Sequence, residues 1–207
     1  MPAHPPVNPA RQRGSVMIEL ALALSVSIPL LLGVGAVGIR LGRTLQATQL
    51  TRDVAHMYAL GADFSLPGTQ AVATSLSRDF NLTGTGRAVL LFSRVFKVQQ
   101  TDCTAAGLQN CPNLNLAVFT QRIAIGNPAL RTSAFGTPPA GYLGSGGNIA
   151  PADYCQQTSL LAAGFESVLA LAAGQSSTVV EGFFAMPDIN FLNIPDSGGG
   201  YYVRFLF

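Results

Sequence analysis

Histidine is close to missing: His4 and His56 are the only two in 207 residues. Zinc sites draw on histidine and cysteine at short, regular spacings. Neither histidine stands at such a spacing from a cysteine, so no metal site is expected. The shortage also removes the usual catalytic base. His56 falls on the helix that follows the apolar run, no Gly-x-Ser-x-Gly elbow occurs, and a cysteine nucleophile has only His56 to draw on. The acids Asp102, Asp153, Glu166, Glu181, Asp188 and Asp196 are scattered singly, so a carboxylate pair arises only if the fold brings two together. Gly198, Gly199 and Gly200 follow an aspartate without opening a helix, which does not support a phosphate loop. The chain reads as a non-enzyme without a cofactor.

Charge is scarce as well, at 11% of residues against 48% hydrophobic, which is too apolar for disorder of the whole chain. Residues 1–43 hold four arginines against Glu19, and the remainder holds eight basic and nine acidic residues. No basic stripe is available to neutralise phosphates, so nucleic acid is excluded as a partner. The cysteines number three. Cys103 and Cys111 stand eight positions apart in CTAAGLQNC, which reads as a polar loop stapled by a disulfide in an oxidising compartment. Such a bridge contributes about 2–3 kcal/mol in the loop-entropy picture. Cys155 is left over, free or paired elsewhere; three reduced cysteines are the alternative.

What the sequence has in quantity is one apolar run. Within RQRGSVMIELALALSVSIPLLLGVGAVGIRLGR (11–43), the twenty residues from Leu20 to Ile39 carry no charge. As a helix they reach about 30 Å, the thickness of a bilayer core. The spacing predicts a membrane helix over 15–40, with Pro29 inside as a kink point. A cleaved secretory signal is the alternative, but its apolar part is about 7–15 residues long. Ala47, Leu50, Val54, Met57 and Gly61 then recur at steps of three and four, predicting an amphipathic stalk over 41–65. Leu66-Pro67-Gly68 reads as a turn, and Ala71 to Phe80 as a short helix with Thr69 as its cap. RAVLLFSRVFKVQ (87–99) and LNLAVFTQRIAIGN (114–127) read as the two strands of a long hairpin. Residues 128–157 are dense in glycine and proline and read as a long loop or flap, the best place for partner contact. Ser159 to Ala173 reads as a helix or an irregular core segment. TVVEGFFAMPDINFL (178–192) contains a strand broken at Pro187, and YYVRFLF closes the chain as a terminal strand. No internal repeat is found. The fold class is α+β.

Glu19 is the residue that a plain anchor does not need, because an unpaired carboxylate at the edge of hydrocarbon is costly. Ahead of it stand Arg11-Gln12-Arg13-Gly14 and Ser15-Val16-Met17-Ile18. A basic leader, a glycine, and an acid five residues on, directly before an apolar span, resemble the site cut by prepilin peptidase. The resemblance implies a leader of residues 1–14, cleavage between Gly14 and Ser15, and an assembly contact between Glu19 and the new Ser15 amine of a neighbouring subunit.

Arg13-Gly14, Glu19, Pro29 and Arg52-Asp53-Val54-Ala55 together resemble the amino-terminal module of TadE-like minor pseudopilins of the tight-adherence, Flp-type pilus machinery. QRIAIGN (121–127) and VVEGFFAMPDINFL (179–192) are similar to segments of that family's periplasmic domain. The resemblance implies a pilin-like fold, in which the long helix packs on an antiparallel sheet within a domain over 66–207. It also implies other pilin subunits, prepilin peptidase and the membrane as partners. The implied location is the inner membrane, with the C-terminal domain periplasmic or extracellular. The arginines flank the run evenly and give no orientation of their own. The alternative is a signal-anchored extracytoplasmic binding or scaffold protein that is never processed as a pilin.

Overall fold

The computed structural model describes residues 9–77, 80–185 and 199–207, with side chains from Val16 onward. The chain divides into two units, residues 1–43 and 44–207. The first helix, α1, runs from Pro9 to Ala59 and passes through Pro29 as helix. It therefore begins earlier than Ser15: proline suits a first helical turn, because the amide it lacks needs no partner there. In the first unit α1 shows apolar side chains on all sides. Its best 18-residue window has a mean hydropathy of 2.3, and none of that window is buried. This helix is long and apolar enough to be a single membrane span or a signal anchor.

The far end of α1 belongs to the second unit. It stops in a glycine-capped turn: Gly61 takes φ +94°, its N–H reaches the Tyr58 carbonyl, and the Ala62 N–H reaches the Met57 carbonyl. The next helix, α2, spans Pro67–Ser77. It starts on the proline rather than after it, and Thr69 is not its cap. The Thr69 hydroxyl donates to the carbonyls of Asp63 and Leu66 instead of accepting a helix N–H.

Four strands form one antiparallel sheet: β1 (Ala88–Lys97), β2 (Ala117–Gly126), β3 (Ser176–Ala185) and β4 (Gly200–Leu206), in the order β2-β1-β3-β4. The expected hairpin is β1 and β2. Their connection is not a plain loop, since it carries helix α3 (Gln100–Ala105). The Asp102 carboxylate accepts the Gln99 N–H and fixes the start of that helix. Pro187 lies outside the described residues.

The side chains of Ala88 to Ser93 are all buried, because both faces of β1 are covered. One face packs on α1 through Ala47, Leu50, Val54 and Tyr58, which meet Leu90, Phe92, Ile123, Val180 and Phe184. The buried side of the stalk is thus 47, 50/51, 54/55 and 58, a step of 3.6. Met57 is only half-buried and Gly61 is exposed, so the expected face was rotated at its far end. Gly182 lets the helix come close: a Cβ there would lie 2.5 Å from the Thr51 hydroxyl oxygen.

The other face carries Val95, Phe119 and Val179 under Phe135, Ile149, Leu160 and Phe165. A bulge sorts the two faces. Arg94 pairs with Gln121 but Val95 pairs with Phe119, so Thr120 is the extra residue and the facing of β2 switches there. The stretch 128–157 is therefore a strap over the sheet rather than a free flap. It holds 3₁₀ turns and a helix, α4 (Pro151–Gln156). It also shields the β2 edge, where the Ile149 N–H bonds to the Thr120 carbonyl at 2.9 Å, and the segment that follows adds a bond from the Ala162 N–H to the Ala117 carbonyl at 2.9 Å. Residues 159–173 form an irregular core segment with two 3₁₀ turns, burying Leu160, Ala162, Phe165 and Leu171.

Candidate functional sites

Gly14 and Ser15 lie within α1, and Glu19 is an exposed carboxylate on it. Its neighbours Met17, Ile18, Leu20 and Leu22 are more than half exposed. In water such a surface has no reason to persist, and in hydrocarbon it is satisfied. Glu19 alone is then misplaced, and it needs a cation or the interface.

A second group lies at the end of the β1–β2 hairpin. Cys103 on α3 and Cys111 are joined by a disulfide, and Cys155 on α4 is a buried free thiol. The three sulfurs lie within 4.8 Å of one another. They sit in an apolar nest with Val98 and Val118 buried and Phe96, Leu114 and Leu161 packed around it. Burial pushes the Cys155 thiol pKa up, and the Asp102 carboxylate adds to the shift.

A third group was not visible from sequence. On the strap side of the sheet, Arg122 of β2 and Glu181 of β3 are both buried, 3.9 Å apart across β1. Glu181 accepts bonds from the Tyr202 hydroxyl at 2.6 Å and from the Ala134 N–H at 2.9 Å. Arg122 donates to the Ser93 hydroxyl and to the Gly136 carbonyl. Burial lowers the Arg122 pKa, and the Glu181 charge opposes that fall. The Tyr202 pKa is raised, first by burial and then by its bond to Glu181. The cluster ties β4 and the strap to the centre of the sheet. An arginine and a glutamate, each beside apolar residues in a strand, were its only signal in the sequence.

Among the described residues the candidate acids do not converge. Glu166 pairs with Lys97 at 2.8 Å, Asp102 caps α3, and Glu181 faces Arg122. Asp153 lies on α4, while Asp188 and Asp196 fall outside the described residues. His56 is exposed, with its ring 6.2 Å from that of Phe207. No family model, curated protein or solved structure matches the chain.

Proposed function

We propose that the chain is a minor pseudopilin, a subunit or assembly initiator of a Flp-type pilus or related secretion fibre. On this reading prepilin peptidase cuts it between Gly14 and Ser15, and it acts as a structural subunit rather than an enzyme. The observation that carries the reading is Glu19. It is an exposed acid at the start of the apolar part of α1, which holds no other acid, and it stands five residues beyond Gly14 of an Arg-Gly pair. Cleavage leaves a positive α-amino group on Ser15. A carboxylate of one chain and an amine of the next, both poor guests in hydrocarbon, satisfy each other when subunits assemble in register. The periplasmic or extracellular placement of residues 66–207 belongs to the same reading, and a disulfide is at home there.

Crosslinking to the major pilin in the native host, for wild type and Glu19→Gln, tests the contact. The amide keeps size and some hydrogen bonding but loses the charge. Insertion and cleavage should be retained while co-assembly is lost. Normal cleavage with undiminished crosslinking would remove Glu19 from assembly, whereas a wild-type chain that is neither cut nor crosslinked would favour a signal-anchored scaffold.

A further inference from the structure

We propose that Cys103, Cys111 and Cys155 form a thiol–disulfide exchange centre, in which Cys155 can replace Cys103 as the partner of Cys111. This inference stands apart from the reading of the anchor. It starts from placement. A free thiol and both bridge sulfurs lie within 4.8 Å, although Cys155 is 44 positions from Cys111 in sequence. Chance proximity of flexible groups is not the explanation, because the third cysteine is braced. The Asn113 side-chain amide donates to the carbonyls of Tyr154 and Gln157, each at 2.8 Å, on either side of Cys155. The Asn113 N–H donates to the Cys155 carbonyl at 3.3 Å. Asn113 stands two positions after Cys111, so these bonds hold the Cys111 turn against α4. Cys111 Sγ itself lies 3.6 Å from the Cys155 carbonyl oxygen.

The step balances without any outside reagent. The Cys155 thiolate attacks Cys111 Sγ, a Cys111–Cys155 bond forms, and the Cys103–Cys111 bond breaks. The electron pair leaves on Cys103 Sγ, which takes up the proton that Cys155 gave up. One disulfide and one thiol are present before and after. The consequence is structural: the bridge stops closing an eight-residue loop and instead ties the hairpin end to the strap. A larger loop is then closed, which restricts the unfolded chain more. Burial of Cys155, with Asp102 on α3 and Tyr154 on α4 as its titratable neighbours, keeps the thiolate scarce near neutrality. Exchange should therefore be slow there and faster at alkaline pH.

The test uses the full chain in detergent, with an acid quench, alkylation and peptide mapping under non-reducing conditions. In wild type held at alkaline pH, the alkylated thiol should shift in part from Cys155 to Cys103, with one free thiol per chain throughout. In Cys103→Ser treated with oxidised glutathione, both remaining thiols should be lost to a Cys111–Cys155 bridge. Circular dichroism on the same samples establishes that the variant is folded. Label confined to Cys155 in wild type at every pH, or a folded Cys103→Ser that keeps two free thiols, would overturn the proposal.

Discussion

Arg122 and Glu181 face each other buried inside the sheet, and removing one leaves the other charge stranded. Arg122→Met should therefore cost about 3–5 kcal/mol, whereas Arg122→Met combined with Glu181→Leu should recover most of it. Urea titration of the three proteins, compared at equal slope, checks both figures. Tyr58 gives a prediction in pH. Its hydroxyl donates to the Gln121 side-chain oxygen at 2.7 Å, and burial raises its pKa from 10.0 to about 12, with the neighbouring arginines Arg94 and Arg122 working against the rise. A raised pKa means that the unfolded chain loses the proton first. The stabilisation is whole below pH 10 and is lost as pH climbs through 10 towards 12. About 2–3 kcal/mol is at stake. Tyr58→Phe should flatten the fall in stability across that window, read from denaturation midpoints at a series of alkaline pH values. A fall as steep as in wild type would show that Tyr58 is not its source.

At the scale of elements, α1 and the sheet approach closely at Gly182. A methyl group there has no room beside Thr51 and Phe184, so Gly182→Ala should cost about 1–3 kcal/mol in a thermal or urea melt. The same region shows what could be read in advance. The stalk, both hairpin strands and the terminal strand were legible, because each carries its own periodicity or β-branched content. The stalk's face was off at Met57, since steps of three and four can be laid down in more than one order. The first half of β1 shows no alternation, because a strand covered on both faces has no polar side to display. The strap was legible as a loop but not as a packed one: Phe135 and Ile149 are buried, and among glycines and prolines their hydrophobicity has no period. The Arg122–Glu181 pair and the three-sulfur cluster depend on register and on contacts across long separations, which spacing alone does not encode. Helix α2 began at Pro67 because proline opens a helix as readily as it makes a turn.

At the scale of the molecule, two surfaces of opposite character share one chain. Residues 16–41 expose mostly apolar side chains, with Glu19 near one end and Arg40 at the other, while the second unit buries its own in two layers against a four-stranded sheet. The first surface is long and apolar enough for a membrane span or a signal anchor, and the proposed function gives Glu19 a role in assembly. The central claim is that this helix is processed before it is used. Mass analysis and amino-terminal sequencing of the mature protein from its native host test it most directly. The account predicts a chain that begins at Ser15, fourteen residues shorter than the full sequence, and a Gly14 replacement by a bulkier residue that leaves the chain uncut. A mature chain that still carries Met1 to Gly14 in a host with active prepilin peptidase would contradict it.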